Sequence, residues 1–276
     1  MRTALSAVIV SFLLVSAAHA ASGYVNVLEP YNYTVYNNGT IYLGNVGPGQ
    51  PFYVTISSTT SNSTGFLLNY GWNKLVVTGL PSGWIGVNSS LNNQALSAKV
   101  SVAPLASNGK YTFKLTAINI GNYSKIGSVT FNAVVNVTPN VFSTKVSPLR
   151  VTTGPGQPAD IHVFINNTGV SDSPFVISID GLPAWTYQST VIALHHTSGS
   201  FLYPVYENEP GVYNLRLNVT SASSPLIHSS TNMTLVIKAS LPGDYSAIGE
   251  GSVGFPIIYA PAYAVMYIIG EIGKLL

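Results

Sequence analysis

The chain has 276 residues, of which 11 are basic and 9 acidic, so charged side chains make up 7% and the net charge is +2. Soluble domains average roughly 25% charge, and nucleic-acid binding needs a concentrated basic patch that so few cations cannot build, so nucleic acid is excluded as a partner. There are no cysteines, which excludes thiol catalysis, disulfides and type 1 copper.

Ser, Thr, Asn and Tyr take the place of charge. Such groups do not titrate as pH falls through the carboxylate range near ~4, which suits a surface facing an acidic exterior. Residues 1–20 read as a secretory signal: Arg2 is the positive end, Ala4 to Ala17 the apolar stretch, and Ala18-His19-Ala20 the cleavage site. The mature chain is expected to start at Ala21.

Beyond Ala21 one domain is written twice. Gly47-Pro-Gly-Gln-Pro51 returns as Gly154-Pro-Gly-Gln-Pro158, and Gly79-Leu-Pro81 with Trp84 returns as Gly181-Leu-Pro183 with Trp185. Gly109-x-Tyr111 returns as Gly211-x-Tyr213. A period of about 100 residues is a whole domain rather than a solenoid unit.

Both copies alternate with a period of two, as half-buried strands do. Phe52, Val54 and Ile56 face one way and Tyr53 and Thr55 the other; Ile161, Val163 and Ile165 oppose Asp160 and His162 in the second copy. Tyr111, Phe113, Leu115 and Ala117 match Tyr213, Leu215, Leu217 and Val219, and closing strands come at 129–137 and 233–237. No segment from 22 to 238 keeps a 3.6-residue period. Short alternating strands with Gly/Pro/Asn turns predict an all-β chain of two tandem immunoglobulin-like sandwiches. In that reading Gly-x-Tyr is a tyrosine corner, and GPGQP a turn entering a strand.

The expected divisions are 1–20 signal peptide, 21–139 first sandwich, 140–240 second sandwich, and 241–276 an apolar C-terminal tail. Pro139 to Phe142 reads as the linker, and the first copy's extra residues fall in a polar loop at Ser57 to Thr64. In the tail, Ser252 to Gly270 runs 19 residues without charge, which meets the lower limit for a membrane span. Pro256 and Pro261 interrupt it, so a helical anchor, a segment docking on a partner subunit and a tail packed on its own domain all stay open.

Nine Asn-x-Ser/Thr sequons stand at Asn32, Asn38, Asn62, Asn88, Asn122, Asn136, Asn166, Asn218 and Asn232. Chance gives about four or five in this composition. Asn136, Asn218 and Asn232 fall on the outward set of their strands. Covalent N-glycans are expected.

The Gly-Leu-Pro-x-Gly-Trp segment at 79–84, with Gly-x-Tyr some 25 residues later, resembles the NEW3-type immunoglobulin-like module that accompanies extracellular enzymes and surface proteins of prokaryotes. Both copies match, although Gly181-Leu-Pro-Ala-Trp185 lacks the Gly before Trp. The whole layout is similar to membrane-anchored surface-layer subunits of thermoacidophilic archaea. These motifs are structural and imply no catalytic residues.

Chemistry is sparse. His195-His196 is the one adjacent histidine pair, and His162 and His228 are the other histidines of the second copy. Neighbours on a strand face opposite sides and no acid lies within eight positions, so loop histidines are expected rather than a metal site. Glu207-x-Glu209 precedes Pro210 and reads as a solvated loop, not a carboxylate pair for hydrolysis. Trp84 and Trp185 could be sugar platforms, but their equivalence favours each capping its own sandwich. No enzyme activity, cofactor or metal is expected. The expected partners are other cell-surface subunits, the membrane through 252–276, and glycans. The readings are a secreted structural surface protein, a filament subunit donating the strand 21–28 to a neighbour, or a carbohydrate-binding or accessory subunit of a surface enzyme complex.

Overall fold

The structure is a computed structural model and describes residues 23–59, 71–90, 95–121, 127–183 and 187–238. The signal peptide, the tail from residue 239, Asn62, Asn122 and Trp185 lie outside them, as does most of the loop at 57–64. The described residues form strands and no helix.

Two compact units result. One comprises the chain up to Gly44 with Pro51–Ser101 and Lys110–Asn136; the other comprises Asn45–Gln50, Val102–Gly109 and the chain from Val137. The strands of the first copy are β1 (Tyr24–Glu29), β2 (Tyr33–Tyr36), β3 (Thr40–Val46), β4 (Pro51–Ser57), β5 (Lys74–Thr78), β6 (Ile85–Val87), β7 (Ala95–Ser101), β8 (Gly109–Ile118) and β9 (Ser128–Val137). They make one sheet in the order β2-β1-β4-β7-β6 and another in the order β3-β9-β8-β5. Phe52, Val54 and Ile56 of β4 are fully buried, as are Phe113, Leu115 and Phe131, and the rings of Phe52 and Phe113 lie 6.2 Å apart.

The second copy has β10 (Phe142–Ser147), β11 (Arg150–Thr153), β12 (Ala159–Asn167), β13 (Ser173–Asp180), β14 (Gln188–Ala193), β15 (Ser198–Val205), β16 (Gly211–Ser221) and β17 (His228–Ile237). Its sheets run β10-β12-β15 and β11-β17-β16-β13-β14. The chain crosses from one sheet to the other between β10 and β11, and β11 then pairs parallel to β17. That switch, around an otherwise antiparallel sandwich, is an immunoglobulin-like arrangement. Its core joins Ile161, Val163 and Ile165 to Phe175, Ile177, Leu215, Leu217 and Leu235. Val141, expected in a linker, is fully buried in this core. Its carbonyl accepts from the Thr168 and Gly169 amides.

The repeated motifs make the same local structures. Gly47-Pro-Gly-Gln50 closes with the Gln50 amide donating to the Gly47 carbonyl at 3.2 Å, and Gly49 has φ 73°. Gly154-Pro-Gly-Gln157 repeats this at 3.2 Å with φ 68° at Gly156. Pro second and a left-handed Gly third is the type II turn. Within the second unit, buried Gln50 accepts from the Gly47 amide at 2.7 Å and donates through Nε2 to Ser173 Oγ at 2.6 Å. The Gln is therefore a wedge that ties its own turn shut.

Strand β1 bears on the strand-donation reading. It lies inside its own sheet, paired to β2 on one side and β4 on the other, with Val25 and Val27 buried. Residues 24–28 of the segment a filament subunit would give to its neighbour thus pair within this chain, their apolar alternation adding to this core.

Candidate functional site

The most distinctive surface feature is a set of exposed tyrosines near sequons. On or beside the sheet β2-β1-β4-β7-β6, Tyr31, Tyr33, Tyr36 and Tyr53 are all exposed, and Tyr42 of β3 is 62% exposed. Tyr24 and Tyr36 face each other across β1 and β2 with rings edge-on at 6.1 Å; the rings of Tyr31 and Tyr33 also meet edge-on, at 6.4 Å. Large rings with few rotatable bonds and one hydroxyl offer contact area at low entropic cost. Beside them runs a polar ladder, in which Thr55 Oγ1 donates to Glu29 Oε2 at 2.8 Å and meets Ser97 Oγ at 3.1 Å.

Of the described sequons, Asn32, Asn38, Asn88, Asn166 and Asn232 are exposed, and Asn136 and Asn218 are half-buried. Asn136, Asn218 and Asn232 alternate with buried Val135, Val137, Leu217, Val219 and Met233, so all three occupy the outer side of their strands. Asn218 is the most engaged of them. Its Nδ2 donates to Asp180 Oδ2 at 2.7 Å, and its Oδ1 accepts from Ser230 Oγ at 2.7 Å.

The histidines do not converge. His162 stacks on Phe164 on the outer face of β12, and His228 Nδ1 lies 2.9 Å from the Pro225 carbonyl. His195 finds an acid that sequence distance concealed: Asp172, 23 positions earlier, accepts from the His195 amide at 2.8 Å and lies 2.6 Å from its Nδ1. His196, in the left-handed region at φ 54°, sets its ring edge-on to His195. Burial, and secondarily the charge of His195, holds His196 below its ordinary value. Among the described residues no three His, Cys, Asp or Glu side chains gather to hold a metal. Glu207 turns its carboxylate on its own loop, accepting from the Asn208 amide at 2.7 Å.

Burial alone would raise the Asp172 pKa, but the His195 amide, ring contact and charge outweigh it and lower the value. A depressed carboxylate contributes stability above its unfolded pKa near ~3.9, and loses it as pH falls through the lower folded value. The His195 amide resonance should therefore titrate with a midpoint below ~3.9 in an NMR pH series. Asp172→Asn should remove that titration; a midpoint at or above the unfolded value would contradict the arrangement.

Trp84 is not a platform. It is 8% exposed, caps the turn in which its amide donates to the Pro81 carbonyl at 3.2 Å, and packs on Tyr111 at 5.3 Å. Tyr213 forms the anticipated corner, its hydroxyl donating to the Glu209 carbonyl at 2.9 Å. A Cβ on Gly211 would stand 3.2 Å from that ring, so glycine precedes the corner for space.

No family model matches the chain, and no curated protein matches it. Solved structures that it is similar to include a chimeric titin Z1Z2 carrying a decorin peptide, at 14% identity and TM-score 0.35, covering 79% of this chain and 98% of that one. Domains 5–6 of the S-layer protein SbsC match at 14% and 0.25, covering 70% and 92%, and the D00-D0 domain of intimin at 10% and 0.26, covering 78% and 99%. Similarities this low assign no activity, and the sandwich description rests on the chain's own strand pairing.

Proposed function

We propose that this chain is a non-catalytic structural protein of the cell surface. It is secreted, N-glycosylated, and tethered through residues 252–276 as an anchor or component of an envelope layer. The single observation that carries this reading is the set of exposed tyrosines at 31, 33, 36 and 53, on or beside one sheet and near the sequons Asn32 and Asn38. It has the chemistry of a surface that meets neighbours and sugars. The His195 ring meets Asp172 and His196 rather than a serine or threonine hydroxyl.

The finer reading is a surface-layer subunit of a thermoacidophilic archaeon built from NEW3-type modules. It draws on the repeated Gly-Leu-Pro and Gly-x-Tyr motifs and on 7% charge. A surface with few titrating groups keeps most of its contacts in acid. Tethering is tested by deleting residues 252–276. The truncated protein should leave the cell for the medium, and the intact one should require detergent. Retention of the truncated protein on the cell would shift the attachment to the sandwiches themselves.

A further inference from the structure

We propose that the glycans at Asn38 and Asn166 are seated on aromatic side chains that this chain supplies, the first sugar ring packing on Tyr36 at one site and on Phe164 at the other. The inference rests on the reading of the sequons as glycosylated, and goes beyond it by saying which two are built to hold their sugar.

Both sites read aromatic-x-Asn-x-Thr: Tyr36-Asn-Asn38-Gly-Thr40 and Phe164-Ile-Asn166-Asn-Thr168. The other seven sequons have Pro, Thr, Gly, Ile, Val, Arg or Ser two residues before the asparagine. One such site falls in each copy of the domain, at positions that do not correspond.

At Asn166 the strand supplies the geometry. Along β12 burial alternates without a break, so Phe164 and Asn166 share the outer face. Residues two apart on a strand stand about 6–7 Å from one another, within reach of a sugar ring attached to the asparagine. Phe164 is 42% exposed, and His162 stacks on it at 6.4 Å with an interplanar angle of 23°. Asn166 Oδ1 accepts from Ser198 Oγ at 3.0 Å. The carboxamide is thus fixed through its oxygen rather than through Nδ2, the atom that bears an N-glycan.

At Asn38 the aromatic and the asparagine stand in one turn. The Gly39 amide donates to the Tyr36 carbonyl at 2.9 Å, which folds the chain back between β2 and β3. Asn38 occupies the third position with φ 61°, a conformation Asn tolerates better than most residues, and its amide is fixed on the Thr130 carbonyl at 2.7 Å. Tyr36 is 56% exposed, and its ring is steadied edge-on by Tyr24. The electron-rich face of an aromatic ring attracts the C–H face of a sugar, as it attracts the edge of another ring. Each aromatic is therefore left exposed two residues before its sequon asparagine, within reach of an attached sugar.

The test uses the full chain expressed in an N-glycosylating host. Glycopeptide mass spectrometry reads occupancy, and thermal unfolding is then compared for the intact protein and for Asn38→Gln, Tyr36→Ala and the double variant, with Asn166→Gln and Phe164→Ala treated likewise. Both asparagines should be occupied. Losing the sugar should lower the transition by about 4 °C when the aromatic is present and by much less when it is alanine. The exposed Asn232, with Ser230 two residues before it, is the control, and Asn232→Gln should give no such dependence. Additive losses at occupied sites would overturn the platforms while leaving glycosylation intact. Sugars found elsewhere but not at Asn38 and Asn166 would also overturn them, and a chain bare at all nine sequons would overturn the glycosylation reading itself.

Discussion

Replacing Trp84 by alanine should lower the stability of the first sandwich by about 3–5 kcal/mol, the cost of removing a large buried aromatic. The ring is 8% exposed and packs on Tyr111 at 5.3 Å. Its backbone closes a turn that needs Gly83 at φ 79°. Truncation would open a cavity where Tyr111 begins the run to Phe113 and Leu115, so the loss spreads into the core. Set against a typical total of about 5–15 kcal/mol, it is a large fraction. Calorimetry should show an unfolding transition displaced downward by many degrees. A Trp84→Ala protein of unchanged stability that no longer binds a glycan array would instead restore the sugar-platform reading.

The second large effect separates two glycines that the sequence makes look alike. Gly79 and Gly181 open the same Gly-Leu-Pro motif, and both are left-handed, at φ 66° and φ 108°. A Cβ on Gly79 finds its nearest neighbour 4.0 Å away, at the Lys114 nitrogen. Gly79→Ala should therefore cost only the left-handed backbone penalty, about 1–2 kcal/mol. A Cβ on Gly181 would meet the Asn214 carbonyl oxygen at 2.6 Å and the Leu215 Cα at 3.4 Å. Those are backbone atoms of β16, held in a ladder with β17, and they cannot easily step aside. Gly181→Ala should cost roughly 3 kcal/mol or more. Denaturant unfolding of the two single variants checks the ranking, and equal losses would refute it.

Much of the candidate surface was legible in the amino-acid order. Tyr53 alternates outward from Phe52 and Val54, and the sequons at 136, 218 and 232 alternate outward from valine, leucine and methionine; a period of two leaves no other face for them. The Asp172–His195 contact was not legible, because 23 residues of strand and turn separate the pair and sequence distance carries no information about which loops meet. The engagement of Asn218 by Asp180 was hidden for the same reason, since Ser178 of β13 pairs with Asn218 only once the register is set.

By itself the sequence determined which residues turn and which alternate. Pro followed by Gly permits the type II turn at 48–49 and 155–156, and strict alternation separates Ile161, Val163 and Ile165 from Asp160 and His162, because these are local consequences of φ preference and strand pleat. The tertiary structure alone decided where equivalent segments go. After the Gly-Leu-Pro motif, β6 joins β7 in the first copy, whereas β14 joins β13 on the opposite sheet in the second. A short segment has no intrinsic preference for one edge over another. It goes to the edge whose open hydrogen-bonding groups and neighbouring side chains it can satisfy, and those exist only when the rest of each sandwich is in place.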